Sequence, residues 1–425
     1  MKKLNILVKS YWENALPANA NRPECFFGIL NILLPVFTGL YIFLNPMPLS
    51  SLSEICVYLS LAILIILLLF QKTDFTLRWP LTLPFALFFI WAIIGLFWSL
   101  DVMNSLHDLR GHLLEYLIIF YLLVNCFNSP KKLESLLWLI IVSVTVFSLG
   151  AMVQYYWIAG FPFSERLGLR YLDMSTNNIG FVIISIIPLA LHGFHRAREF
   201  KPKLIFLICI IILCLATLLT QSRAALIGLF IGMIISCFNN KKIILLVMAV
   251  LLLIFIMPGI KDRIIHEGFT TDNRVKINHL TLEIIKEYPI TGIGFGMQIY
   301  QNESLLNLKE YNSRLPEEFQ QKVIMPSPHN TLLDITLRTG IVGLILYLYI
   351  LLTAVFLLWK TYRMTENEYF KSWAISLFAC FMASTVASLF QDTTFGARAV
   401  IHYTILAMIT ILWKLSTNTM GNKEI

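Results

Sequence analysis

The chain has 425 residues, of which 57% are apolar and only 14% are charged, and its formal net charge is +8. A soluble domain averages about 25% charged residues, so this composition excludes an ordinary globular protein and indicates an integral membrane protein. The positive charge does not point to a nucleic-acid partner, because membrane proteins accumulate lysine and arginine in their cytoplasmic loops.

Apolar runs long enough to cross a bilayer recur along the whole chain and predict about twelve transmembrane helices in one all-α membrane domain. We place them at 26–44, 53–70, 79–98, 113–127, 135–158, 178–195, 204–220, 224–238, 243–258, 331–359, 372–390 and 398–415. A segment of mixed charge precedes the first run, so we expect no cleavable signal peptide. All seven cysteines lie in or beside these runs or on the predicted cytoplasmic side, and we expect neither a disulfide framework nor a cysteine metal site.

The basic residues alternate between the loops. With the N-terminus placed in the cytoplasm, nineteen of the 33 lysines and arginines fall in inner loops and tails, and five fall in short outer loops. This pattern predicts a multi-pass protein of the bacterial inner membrane, with both termini cytoplasmic and one large periplasmic loop. The expected divisions are helices 1–9 over residues 1–258, the large loop over 259–328, and helices 10–12 over 329–425.

The basic residues of the short outer loops are all arginines, with no lysine among them. They are Arg110, Arg166, Arg170, Arg223 and Arg398. Topology would be satisfied by either residue, whereas bidentate binding of phosphate oxygens favours the planar guanidinium group. A single arginine at a helix end often only extends its charge to the membrane surface. Together, arginines from separate loops would form an anion site suited to a diphosphate, and the sequence does not fix whether they converge.

The large loop is expected to contain an amphipathic helix from Val275 to Glu287, capped by Thr271 or Asp272 and ended before Pro289. The sequence TGIGFG follows at 291–296. Its glycines superficially match a nucleotide-binding turn, but no strand precedes them. Close passage of the backbone under a ligand or against the helix bundle is the favoured explanation.

The loop ends in PSPHN, and His329 and Asn330 lie where the next helix begins. A histidine at a helix start is more often structural than catalytic. Three features favour catalysis here: an ordinary imidazole pKa near neutrality, a position at the boundary of water and membrane, and the arginines of the other outer loops. On an intact helix Asp334 would lie well round from His329, so we do not expect it to orient the imidazole.

His329-Asn330, nine further residues and Gly340-Ile-Val-Gly343 form the pattern H-N-x9-G-x-x-G. This pattern resembles that of bacterial O-antigen ligases, within the wider O-antigen ligase and polymerase membrane superfamily. The order of the outer arginines is also similar to that of the family. Three of them lie in TQSRAALIGL, DNRVKINHLTLEI and DTTFGARAV, and either Arg166 or Arg170 in FSERLGLRY corresponds to an earlier arginine. The resemblance covers roughly residues 160–400, and the first 150 residues match only in hydropathy.

The resemblance implies an inverting, metal-independent glycosyltransferase that needs no cofactor. Such an enzyme transfers a completed polysaccharide from undecaprenyl diphosphate to a sugar hydroxyl of lipid A-core at the periplasmic face. His329 would then be the general base, and Arg223 and Arg274 would hold the donor diphosphate. The supporting residues implied are Arg166 and Arg398, with Asn330 and Arg170 as further candidates.

Three alternatives remain open at this point. An O-antigen polymerase uses the same donor lipid but extends another lipid-linked chain, and the H-N-x9-G-x-x-G match favours the ligase over it. A protein O-oligosaccharyltransferase is usually longer and carries an extra soluble tail. A transporter of twelve helices normally carries charged residues in mid-membrane or two similar halves. Here the ionisable residues concentrate at the predicted outer face, which disfavours transport.

Overall fold

Apolar α-helices make up the computed structural model of the protein, which describes residues 22–168, 176–238, 273–325 and 327–421. The helices are α1 (Arg22–Leu44), α2 (Ser50–Leu69), α3 (Thr82–Ile94), α4 (Val102–Asp108), α5 (Glu115–Cys126), α6 (Pro130–Met152), α7 (Thr176–Ile184), α8 (Ile187–Arg196), α9 (Phe200–Thr220), α10 (Arg223–Ser236), α11 (Asn273–Glu287), α12 (Leu308–Ser313), α13 (Thr331–Met364), α14 (Glu368–Ser388) and α15 (Gly396–Gly421). Within these ranges there is no β-strand, and nine helical segments are long and apolar enough to cross a membrane. The predicted all-α, polytopic class is therefore confirmed.

Eleven of the twelve predicted helices coincide with helices of the structure, with boundaries that differ by several residues. The twelfth, at 243–258, lies outside the described residues. Two helices predicted as continuous are interrupted. The segment 178–195 divides into α7 and α8 at Ser185 and Ile186, because Pro188 in the first turn of α8 has no N–H to continue the earlier helix. The segment 331–359 is broken at Gly340 inside α13.

Short polar residues set several of the helix starts. The Ser129 side chain accepts a hydrogen bond from the Lys132 N–H, and Pro130 occupies the first helical position of α6. Ser222 caps α10 in the same way through the Ala225 N–H. These side chains satisfy N–H groups that a helix leaves without an internal partner, which is costly next to lipid.

Two segments of wider, π-helical turns adjoin the regular helices. Leu109–Leu114 joins α4 to α5, and Val153–Ile158 extends α6. Each helix therefore continues as one membrane-spanning unit, over Val102–Cys126 and Pro130–Ile158. Such turns shift the side chains that follow around the helix axis and frequently occur at functional sites.

The helices run between two chemically different ends of the bundle. α13 starts beside His329 and finishes at Met364, so we call its two ends the His329 end and the basic end. At the basic end, Lys414 Nζ lies 4.3 Å from the centre of the Trp79 ring, and Arg196 pairs with Glu134 at 3.6 Å. These basic residues belong to the segments predicted to be cytoplasmic. That the His329 end faces the periplasm stays a prediction from charge.

Helix α11 packs on a small core of its own at the His329 end. Ile277, Leu280 and Ile284 are buried on one face of the helix, and Leu280 and Ile284 belong to a cluster with Tyr311 and Leu337. The predicted amphipathic helix is thus confirmed, and its face rests on protein. The predicted capping residues, Thr271 and Asp272, lie outside the described residues.

Candidate functional site

The loop before α13 turns sharply at His329. The φ angle of His329 is +48°, in the left-handed region that residues with a Cβ rarely adopt. Asn330 follows as the helix cap, and its Oδ1 accepts hydrogen bonds from the N–H groups of Leu332 at 3.0 Å and Leu333 at 3.2 Å. The cap fixes the first turn of α13, so the strained residue before it is held in one place.

Gly340 ends the first part of α13 after two and a half turns. Its φ of +67° and ψ of −175° are not helical, so the preceding carbonyl groups lose their partners within the helix. The Leu337 and Arg338 carbonyls instead accept from the N–H groups of Ile293 at 2.9 Å and Gly294 at 3.2 Å. The Thr339 carbonyl accepts from the Trp91 indole N–H at 2.8 Å. All three carbonyl groups at the break therefore have partners outside the helix.

The TGIGFG segment, residues 291–296, supplies this bonding and lies between α13 and α4. On the α4 side, Gly296 N–H donates to Ser105 Oγ at 3.0 Å, and Met297 N–H donates to Asp108 Oδ2 at 2.6 Å. A Cβ on Gly294, whose φ is +115°, would overlap the Ser99 hydroxyl. These glycines thus serve close packing against the bundle, as the sequence favoured, and not a nucleotide-binding turn.

Three segments surround the imidazole of His329. Ser327 Oγ lies 3.4 Å from its Nδ1, and Gln391 and the carboxylate of Asp392 lie nearby on the link between α14 and α15. Arg274 at the start of α11 and Arg398 in the first turn of α15 contribute positive charge. Burial lowers the pKa of His329, and the two arginines lower it further, whereas Asp392 and Gln391 oppose the shift. The imidazole is therefore predominantly neutral at neutral pH.

A buried ion pair and a hydrogen bond hold the link between α14 and α15 in place. Arg398 Nη1 lies 3.1 Å from Asp392 Oδ1, and both side chains are about 95% buried. Thr331 in the first turn of α13 donates its hydroxyl to the Gln391 carbonyl at 2.9 Å. The link is thus fastened directly to the helix that follows His329, which fixes Gln391 and Asp392 relative to the imidazole.

Asp334 forms a second buried ion pair, with Arg338 one turn further along α13. Its Oδ2 lies 3.3 Å from Arg338 Nη1 and accepts from the Thr394 hydroxyl at 3.0 Å. Arg338 also donates to the Phe295 carbonyl of the TGIGFG segment. As expected from its place on the helix, Asp334 does not orient His329, and it anchors the break of α13 instead.

Arg166 and Arg223 lie at a second group of polar residues on the same end. Arg166 donates through Nε to the Thr220 carbonyl at 3.1 Å and through Nη2 to Asn177 Oδ1 at 3.4 Å. Ser222, the cap directly before Arg223, donates its hydroxyl to the same Asn177 oxygen at 2.8 Å. Asn177 therefore joins the loop that carries Arg166 to the turn that carries Arg223.

Asn178 connects the two groups. Its Oδ1 accepts from Gln391 Nε2 at 3.4 Å, and Gln391 lies beside His329. The structure therefore brings four of the predicted arginines to one end, two around the imidazole and two across the pair of asparagines: Arg274 and Arg398, and Arg166 and Arg223. Arg170 lies outside the described residues.

Sequence reasoning missed four residues of this cluster: Gln391, Asp392, Asn177 and Asn178. A usable signal existed for one of them. Asp392 is a carboxylate at the outer end of a predicted span, six residues before a predicted site arginine. A carboxylate next to lipid requires a partner, and its neighbours in space are then candidates for the site.

Comparison with known proteins adds one match to this geometry. A family model described as O-antigen ligase matches residues 207–348, a range that includes Arg223, Arg274, His329 and both glycines of the G-x-x-G pattern. A search of curated proteins finds no relative of the chain. The matched range is about a third of the chain, and over this range the chain is similar to O-antigen ligases.

Proposed function

We propose that the protein is an O-antigen ligase, which transfers polysaccharide from undecaprenyl diphosphate to a sugar hydroxyl of lipid A-core at the periplasmic face of the inner membrane. The observation that carries the proposal is the setting of His329. A partly buried, predominantly neutral imidazole lies near a carboxylate and two guanidinium groups at one end of a membrane bundle. This arrangement suits removal of a proton from a neutral acceptor beside an anionic leaving group.

In the proposed reaction, His329 takes the proton of the acceptor hydroxyl. The oxygen then attacks the anomeric carbon of the donor sugar from the side opposite the diphosphate, and the bond between that carbon and the diphosphate oxygen breaks. Configuration at the carbon inverts, and undecaprenyl diphosphate leaves with its bonding electrons. Asp392 would stabilise the imidazolium that forms, as a buried carboxylate beside a catalytic histidine does elsewhere.

The arginines would hold the donor diphosphate. Arg223 and Arg274 are the proposed primary contacts, with Arg166 in support, because guanidinium groups bind adjacent phosphate oxygens in pairs. Arg398 is bonded to Asp392, so its proposed contribution is long-range positive charge and correct placement of that carboxylate. Arg170 and Asn330 stay as supporting candidates, the latter through the helix cap.

Transfer by the purified protein in detergent tests the proposal directly. We expect glycan supplied on undecaprenyl diphosphate to appear on lipid A-core when both are present. The matched reaction replaces lipid A-core with a second lipid-linked glycan. Growth of that second chain, without modification of lipid A-core, would identify a polymerase and overturn the ligase proposal. No transfer to either acceptor would also count against it.

The rate of transfer should depend on pH through His329. Since burial lowers the pKa of His329, the rate is expected to be flat around neutrality and to fall in acid, with a midpoint below about 6.5 as the imidazole becomes protonated. Initial rates from about pH 4.5 to 8 measure this midpoint. Asp392→Asn should move it further down, because the carboxylate favours the protonated imidazole. A midpoint above neutrality would contradict the assignment of His329 as base.

A further inference from the structure

An apolar groove runs between α6 and α9 at the His329 end and opens on the exposed apolar surface of the bundle. Its volume is about 560 Å³, and its lining includes Leu149, Val153, Trp157, Phe163, Leu215 and Leu219. Leu149 and Leu215, on opposite walls, are 46% and 48% exposed. The walls extend along the helices for roughly 10 Å, so the groove is an elongated cleft.

The groove has an aromatic rim at its outer end. There the π-helical turns Val153–Ile158 extend α6 and carry Trp157, which is 66% exposed. Phe163, in the loop that follows, stacks on Tyr156 at 4.7 Å and meets Trp157 edge-on at 5.7 Å between ring centres. Aromatic side chains of this kind prefer the level of the lipid headgroups, which places the rim near the membrane surface.

The groove ends directly at an arginine of the candidate site. Leu219 lines the groove, and its carbonyl accepts a hydrogen bond from the Leu167 N–H at 2.8 Å. Arg166, one residue earlier in that loop, bonds to the carbonyl of Thr220, one residue after Leu219. The apolar cleft therefore adjoins a guanidinium group that bonds to Asn177, the residue that also bonds to the cap before Arg223.

We propose that this groove binds the part of the polyprenyl chain nearest the diphosphate of the donor lipid. The inference rests on the proposed function and adds the path by which the donor enters, from the bilayer between α6 and α9. A lipid with a diphosphate head matches both parts of the surface. The hydrocarbon fills the apolar cleft, and the anionic head lies at Arg166 and Arg223, where its charge is compensated.

Equilibrium binding of radiolabelled undecaprenyl diphosphate to the full chain in detergent tests this inference. Leu215→Trp fills the groove and is expected to weaken binding about tenfold or more, because several methylene groups lose their contacts. The matched control is Ile211→Trp on the same helix, since Ile211 is 57% exposed and is not part of the groove lining. The control should bind within about twofold of the unmodified protein. If Leu215→Trp does not fold, Leu149→Trp blocks the opposite wall.

The possible results separate the two proposals. If the unmodified protein does not bind undecaprenyl diphosphate, both the proposed function and the groove proposal are wrong. If the protein binds the lipid and Leu215→Trp binds it as tightly as Ile211→Trp does, the groove proposal is wrong and the proposed function stands. Phosphatidylglycerol is the second probe. An equal loss of its binding in Leu215→Trp would identify a site for bulk membrane lipid and would also overturn the groove proposal.

Discussion

His329→Ala is expected to reduce glycan transfer to lipid A-core by about a hundred- to ten-thousand-fold, the usual cost of losing a general base. The imidazole is predominantly neutral at neutral pH, and alanine leaves nothing there to accept the hydroxyl proton. Binding of undecaprenyl diphosphate should persist, since the arginines are unchanged. The measurement is the initial rate of transfer by purified protein, together with lipopolysaccharide ladders from a strain that lacks its own ligase.

A second histidine provides the control for that experiment. His107 lies at the same end of the bundle with its side chain 73% exposed. Its ring pairs with Asp108 at 3.0 Å, but Asp108 keeps its bond to the Met297 N–H, so we expect His107→Ala to remove an imidazole with little effect on the core. We expect this variant to transfer glycan at the unmodified rate. Normal ladders from His329→Ala would overturn the proposed role of the imidazole. A loss of folded protein, seen as a shifted thermal transition, would mean that His329 acts through structure.

Gly340→Ala is expected to destabilise the protein by at least ~3 kcal/mol, because it combines a strained backbone with a steric overlap. The φ of Gly340 is +67°, and a Cβ there would overlap the carbonyl group of Ile290. Relief requires the TGIGFG segment to move away from α13, which would break the hydrogen bonds to the Leu337 and Arg338 carbonyls. Thermal unfolding in detergent measures the loss.

Two other glycines separate the causes of that effect. Gly396 has a φ of +65°, and a Cβ added there would meet no atom within 4 Å. Gly396→Ala therefore isolates the backbone strain and should cost about 1–2 kcal/mol. Gly150, within α6, has neither strain nor a close neighbour, and Gly150→Ala should be neutral or slightly stabilising. If Gly340→Ala unfolds at the same temperature as Gly396→Ala, the steric argument is wrong.

Most of the helices could be predicted from the sequence, because the membrane imposes a minimum length of apolar residues on each one. The two interruptions were harder. Pro188 was visible, but a proline within an apolar run is also tolerated in transmembrane helices. The break at Gly340 depends on partners for three carbonyl groups, and these come from residues about 45 positions earlier and from Trp91. No local pattern reports such partners.

The candidate site was only partly predictable for the same reason. The H-N-x9-G-x-x-G resemblance drew attention to His329, and the absence of lysine drew attention to the arginines. The proximity of Gln391 and Asp392 to His329 could not be predicted from local sequence. They lie near His329 because hydrogen bonds join the link between α14 and α15 to Thr331, sixty residues earlier in the chain. The pattern also conceals different physical roles. Gly340 breaks the helix, whereas Gly343 leaves room for the side chain of Thr339.

The cap at Asn330 has a consequence for the charge of the residue beside it. Aspartate caps a helix as well as asparagine does, so the hydrogen bonds to Leu332 and Leu333 do not by themselves require an amide. A carboxylate at this position would stand next to the imidazole, favour its protonated form and compete with a diphosphate for nearby arginines. The amide closes the helix end without adding charge. An uncharged cap thus leaves His329 able to accept a proton and leaves the guanidinium groups to the substrate.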